Sequence, residues 1–158
     1  MVALMKEWFG LVARLVTGGV WIAAGVLKLP DPYESVRAVR AYALLPEAVV
    51  PTVGLLLPIV EIVLGLALVL GLLTRGAGVL SAVLLVLFIV GISSVWVRGI
   101  EIDCGCFGSG GARPGSASSY PWEIARDVGL LLLSVYLVLV PRTRLAVDRL
   151  LFPATERA

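Results

Sequence analysis

The chain has 158 residues, 59% of them hydrophobic and 15% charged, and a mean hydropathy of +1.02, where soluble domains run to roughly 45–50% apolar and 25% charged. That composition belongs to an integral membrane protein. Two cysteines and no histidine exclude haem ligation through His, His-containing zinc sites and Ser-His-Asp or Cys-His catalysis, because the ligand or base is missing. A net charge of +2, with no stretch joining clustered Lys/Arg to stacking aromatics, excludes nucleic acid as a partner.

A spanning helix needs about 20 predominantly apolar residues, and four stretches supply them: 8–29, 51–73, 76–97 and 121–140. The first carries Arg14 and Lys28 near its ends, where long side chains are expected to snorkel to the headgroups. No cleavable signal pattern precedes it, so it reads as an uncleaved anchor. Pro30-Asp31-Pro32 stops that helix. A short helix is predicted next, over 33–45, with Tyr33, Val36, Val39, Ala43 and Leu44 on one face and Glu34, Arg37 and Arg40 on the other, as in a segment lying along the membrane surface. Thr74, Arg75 and Gly76 leave room only for a tight turn between spans two and three, eased by Gly76 and Gly78. Between spans three and four come Cys104-Gly105-Cys106-Phe107-Gly108 and then a Gly/Ser/Pro/Ala tract over 109–119 that reads as a flexible flap. The predicted fold is all-α: an integral-membrane four-helix bundle forming one domain over 1–158, with an interfacial helix between spans 1 and 2 and a cysteine loop between spans 3 and 4.

Orientation follows Lys/Arg in short loops. Lys6, Arg14, Arg75, Arg142, Arg144, Arg149 and Arg157 face one side against Lys28, Arg37, Arg40, Arg98, Arg113 and Arg126, so the crowding of Arg142, Arg144 and Arg149 just beyond the last span decides. Both termini are expected in the cytoplasm, with the cysteine loop extracytoplasmic. Trp8 then marks the inner interface, and Trp96, Tyr120 and Trp122 the outer one.

Cys104 and Cys106 stand two apart around Gly105, whose freedom in φ lets the backbone turn sharply enough to bring the sulfurs together. Bridging needs Cα atoms about 4.4–6.8 Å apart, and an i, i+2 pair in extended chain lies at or beyond that limit, so a Cys104–Cys106 ring is expected to be strained. Strained, exposed disulfides are the labile and catalytic ones, whereas so short a loop gains little from cross-linking. Three readings stand: a redox-active pair, an inert bridge or unbridged thiols, and two thiolates holding a soft ion such as Cu(I), which lacks a nearby Met or His.

Glu61 falls near the middle of span two, where a charged carboxylate costs about 2.5–3.5 kcal/mol even on lenient insertion scales. A residue so placed marks function, unless it only clasps helices together. Arg126 and Asp127 lie more than a turn inside span four, with Trp122 on the face of Arg126. At ~1.5 Å per residue Glu61 lies about 15 Å from the outer end and Arg126 about 8 Å, so a Glu61–Arg126 contact is expected, with plain snorkelling of Arg126 as the alternative. Lys28 and Arg126 gather near the cysteine loop, where cations favour thiolate. Gly18, Gly19, Gly25, Gly65, Gly71, Gly91 and Gly129 fall at lipid depth, where small residues let helices approach closely. Trp21 and Phe107 are aromatics that pack or flank a flat cofactor.

Several features coincide: Gly25-Val26-Leu27-Lys28-Leu29 closing the first span, Tyr42-Ala43-Leu44-Leu45-Pro46, Pro58-x-x-Glu61, Asp103-Cys104-Gly105-Cys106-Phe107-Gly108, and Trp122 with Arg126-Asp127. Together they resemble the MauE family of redox-associated membrane proteins, relatives of the DoxX family, over roughly residues 10–140. Asp127 departs from the pattern, which leads one to expect Asn. The resemblance implies a four-helix protein of the inner (plasma) membrane that acts with an extracytoplasmic thioredoxin-like partner in making or maintaining disulfides, in the namesake case during maturation of methylamine dehydrogenase. The expected activity is thiol-disulfide exchange at a redox-active Cys104/Cys106 disulfide, with Glu61 and Arg126 as further catalytic groups. By analogy with membrane disulfide-generating enzymes a quinone is the expected acceptor, near Lys28, Trp122 and Phe107. The alternative is a non-catalytic membrane scaffold, or a copper-handing module, for maturation of a partner.

Overall fold

The structure is a computed structural model and describes residues 2–105, 110–140 and 146–148. Five α-helices dominate it: α1 (Val2–Lys28), α2 (Pro32–Ala41), α3 (Val50–Leu70), α4 (Thr74–Val97) and α5 (Tyr120–Leu139), with strands β1 (Ile102–Cys104) and β2 (Gly110–Ala112) and a 3-10 turn at Ser116–Ser118 before α5. Among the described residues, three helical segments are long and apolar enough to cross a membrane: Met5–Lys28, Val50–Leu70 and Thr74–Val97. In α5 the first two turns carry Glu123, Arg126 and Asp127, which is why its apolar run is shorter than the sequence suggested.

The helices begin and end for local reasons. Asp31 caps α2 by accepting hydrogen bonds from the backbone N–H groups of Tyr33 (3.0 Å) and Glu34 (3.1 Å), with Pro32 in the first turn, where a missing N–H is harmless. α3 closes in a Schellman motif: Gly71, at φ 70°, donates to Leu68 O at 3.1 Å and Leu72 to Ala67 O at 2.8 Å. The turn into α4 therefore lies at Gly71-Leu72-Leu73 rather than at Thr74–Gly76. Gly76 and Gly78 are helical, and Gly78 faces Val138 of α5. Asp148 caps α4, its two carboxylate oxygens accepting from Leu73 N (2.6 Å) and Thr74 N (2.7 Å).

α1 packs chiefly on α3, and α4 on α5. The α1–α3 seam is built on glycine. A Cβ at Gly18 would stand 2.8 Å from Gly65 O, one at Gly65 2.7 Å from Gly18 O, and one at Gly25 2.7 Å from Pro58 O, so backbones touch where the sequence placed small residues. Gly19 and Gly129, in contrast, meet nothing within 4 Å. A polar chain ties α1, α4 and α5. Trp21 Nε1 donates to Ser81 Oγ at 2.8 Å and Ser134 Oγ donates to Leu130 O at 2.9 Å. Ser134's single proton is thereby used, and Ser81 donates to it at 2.8 Å.

α2 buries Ser35, Val36 and Ala38, so the face it presents inward is rotated from the predicted one, and Tyr33 is 76% exposed. The reason is Gly54 of α3, which admits Val36 against its backbone. The tract read as a flexible flap instead pairs: β1 and β2 are antiparallel, with Cys104 opposite Gly110, and Gly110 lets Ala38 of α2 seat against the hairpin. Tyr120, expected at the interface, is 1% exposed. Its hydroxyl accepts from Ile102 N at 2.9 Å and faces the carbonyls of Ile100 (2.9 Å) and Ile102 (3.1 Å), pinning β1 to the start of α5.

Candidate functional site

Cys104 ends β1, and Gly105 after it takes φ 69°, a left-handed turn that glycine adopts without strain. Tyr42, from the end of α2, donates its hydroxyl to Cys104 O at 2.9 Å. Asp103 pairs with Arg113 at 2.8 Å across the hairpin. Cys106 and Phe107 lie outside the described residues, as do Arg142, Arg144, Arg149 and Arg157, on which the expected orientation leaned.

An apolar cavity of about 290 Å³ opens between α2, α3 and α4, lined by Cys104 and Gly105 together with Ser35, Tyr42, Leu57, Phe88 and Lys28. Trp122, one of the residues expected near a cofactor, does not line it and is 74% exposed. Phe88 and Ser35 were not singled out by sequence. Only the Tyr42-Ala43-Leu44-Leu45-Pro46 run carried a signal, and its Leu44 and Leu45 also line the cavity.

Lys28 does not snorkel. Its ammonium is 2.5 Å from Glu61 Oε1, with Lys28 4% and Glu61 0% exposed as residues, and it sits 6.0 Å from the centroid of the Phe88 ring. This replaces the expected Glu61–Arg126 contact. Side chains on a helix lean toward its N-terminus; in the antiparallel α1–α3 pair Lys28 therefore leans back along α1 and Glu61 leans to meet it, while Gly25 brings the two backbones together one turn away. Arg126 pairs instead with its neighbour Asp127, Nε at 3.0 Å and Nη2 at 2.8 Å from Oδ1, and Asp127 is 2% exposed. The two pairs nonetheless meet: Glu61, Arg126 and Asp127 line one small cavity of about 20 Å³ with Trp21, Ala24 and Phe88. Phe88 also borders the larger cavity, so Phe88 and the Lys28–Glu61 pair form the wall between the two.

Arg14, also expected to snorkel, is 1% exposed. Its guanidinium donates to Leu68 O and Val69 O, both at 2.9 Å, tying α1 to carbonyls in the last turn of α3. It lies at the opposite end of α1 from Lys28 and belongs to the scaffold.

The geometry is thus a cysteine turn lining an apolar chamber, walled by a buried ion pair with a second charged pair behind it. Compared with known proteins, the chain matches the profile of the family described as methylamine utilisation protein MauE over residues 6–140. A "Methylamine utilization protein MauE" from Paracoccus denitrificans is 35% identical over 102 residues, 64% of this chain and 55% of that protein. The chain thus spans about half the length of that relative. No solved structure matches it.

Proposed function

Because the chain belongs to the methylamine utilisation protein MauE family and Cys104 and Lys28 line one apolar cavity, we propose a membrane thiol-disulfide oxidoreductase. In this reading it draws electrons from an extracytoplasmic thioredoxin-like partner and passes them to a membrane quinone. The cavity lined by Cys104 carries the reading. An apolar cavity of about 150 Å³ accepts a benzene ring, so about 290 Å³ suits a substituted quinone ring whose chain runs into lipid.

Two exchanges make the cycle. A partner thiolate attacks the Cys104–Cys106 disulfide, and the mixed disulfide resolves to leave the partner oxidised and Cys104/Cys106 as a dithiol. The dithiol then gives two electrons to the quinone. The S–S bond re-forms, two S–H bonds break and two O–H bonds form on the quinol. Lys28 lines the cavity, and a fixed cation beside a ring oxygen would stabilise the negative charge that develops there without reorganisation.

Four spans follow with α5 as the fourth. Two of its three charges, Arg126 and Asp127, are paired with each other, and Leu132 and Leu139 expose apolar surface, 66% and 74%, as a lipid-facing helix does. Both termini then lie in the cytoplasm of a cell whose plasma membrane holds the protein, α2 lies at the outer interface, and the hairpin faces the partner.

The test is the redox equilibrium of Cys104/Cys106 in lipid nanodiscs, read by thiol labelling against dithiol buffers with and without a short-chain quinone. Quinone should drive the pair oxidised. Gly91→Leu should block that step while sparing exchange with a thioredoxin-like protein, since Gly91 lines the cavity and a Cβ there already stands 3.2 Å from the Tyr42 ring. Full quinone reduction by the Cys104→Ser/Cys106→Ser double variant overturns the proposal, and partner maturation that survives that variant establishes the scaffold reading.

A further inference from the structure

Glu61 and Asp127 each commit one carboxylate oxygen to an ion pair. The other, Glu61 Oε2 and Asp127 Oδ2, is buried and accepts no hydrogen bond among the described residues. Both residues line the same cavity of about 20 Å³, held between α1, α3, α4 and α5. A buried acceptor left without a donor is costly, and more so when charged. One water fits where about 10–15 Å³ is open and two to four polar groups converge. Two acceptors with no donor call for a group with two donors, and water is that group.

We infer that a single water bridges Glu61 Oε2 and Asp127 Oδ2 and that the two carboxylates share a proton through it. The charged and titratable groups around this site are Lys28 from α1, Glu61 from α3, and Arg126 and Asp127 from α5; α4 presents Leu85 and Phe88 there. With two cations and two carboxylates the cluster is neutral when both acids are ionised, and the shared proton raises it to a single positive charge. Lys28 touches Glu61 on one side and lines the larger cavity on the other. On the quinone reading given above, Lys28 would hand a proton to a ring oxygen, one of the two that quinol formation takes up, and the shared site would restore it; a proton released by the Cys104/Cys106 dithiol would then refill the shared site. Asp127 is then a positioning residue, acting through the water and Glu61.

The experiment is an infrared titration of the carboxyl stretch in lipid nanodiscs, paired with the pH profile of quinol formation. Asp127→Asn should move the midpoint of the Glu61 band by about one pH unit or more, and Glu61→Gln should do the same for Asp127, as for sites that titrate as a pair. Asp127→Asn should shift the pH profile with it, whereas Glu61→Gln should lower the rate by about 10²-fold or more. Ala24→Val fills the cavity without touching a charge, and in that background Asp127→Asn should no longer move Glu61. A Glu61 midpoint indifferent to Asp127→Asn overturns the shared site. Coupling that persists in Ala24→Val overturns the water. Coupled midpoints with no quinol formed at any pH overturn the quinone reading and leave the shared site standing.

Discussion

Replacing Lys28 and Glu61 by Met, singly and together, separates what the buried pair does for the fold from what it does for chemistry. The ions lie 2.5 Å apart, where two unit charges at an effective dielectric of about 20 attract by about 6–7 kcal/mol, most of which offsets the desolvation of both groups. Removing one partner strands the other where Lys28 is 4% and Glu61 0% exposed, and each single change should cost about 3–5 kcal/mol. That is about a 10²- to 4 × 10³-fold change in the unfolding equilibrium at about 1.4 kcal/mol per tenfold. The double variant puts two flexible apolar chains of similar length in the same space, and buried pairs so replaced are often neutral or stabilised. Its stability should return to within about 1–2 kcal/mol of the parent. Unfolding in mixed micelles, followed by the fluorescence of Trp21 beside the site, reads all four corners of the cycle. Single changes whose costs simply add in the double variant would refute the reasoning, because they would show two residues stabilising the fold independently.

Three further outcomes are expected. Gly65→Ala should lose about 1–3 kcal/mol by overpacking the α1–α3 seam, since its Cβ would stand 2.7 Å from Gly18 O; Gly19→Ala, with nothing within 4 Å, should be neutral or stabilising, as thermal unfolding in detergent will show. Tyr120→Phe leaves the Ile102 N–H without its 2.9 Å acceptor and should cost about 1–3 kcal/mol while speeding thiol labelling of Cys104, because β1 loses its pin; unchanged labelling would assign the hairpin's order to α2 alone. Asp148→Ala removes both acceptors at the start of α4 and should lower stability by about 0.5–2 kcal/mol, with hydrogen exchange rising first at Leu73 and Thr74.

The long helices were legible in the sequence because apolar runs of membrane length and breakers such as Pro30-Asp31-Pro32 act locally; that Asp31 also caps α2 emerged only with the structure. Glu61 was legible as an anomaly of depth. Its partner was not, because the choice between Lys28 and Arg126 turns on helix rotation and on how closely α1 approaches α3, which Gly18, Gly25 and Gly65 decide together rather than one at a time. Arg14 misled for a related reason: a long cation near a helix end suits the headgroups equally well, and only the tertiary position of the carbonyls of Leu68 and Val69 draws it inward. The hairpin went unread because Gly110-Gly111-Ala112 has no strand propensity of its own; α2 imposes the pairing through the contact of Ala38 with Gly110.

The buried charges are more than helix packing calls for. Register between α1 and α3 is already set by backbone contact at Gly18, Gly25 and Gly65, and α1, α4 and α5 are already joined by the neutral Trp21, Ser81 and Ser134 chain. A polar clasp therefore exists without Lys28, Glu61, Arg126 or Asp127, and replacing ion pairs with apolar groups of like volume is often harmless to stability. Both pairs sit around the wall between the apolar chamber and the small cavity behind it, where a two-electron exchange would need a fixed cation and a source of protons. The Met/Met variant decides between packing and chemistry in one molecule: stability kept with quinol formation lost assigns the pair to chemistry, and activity kept alongside stability would make the four charges a second clasp.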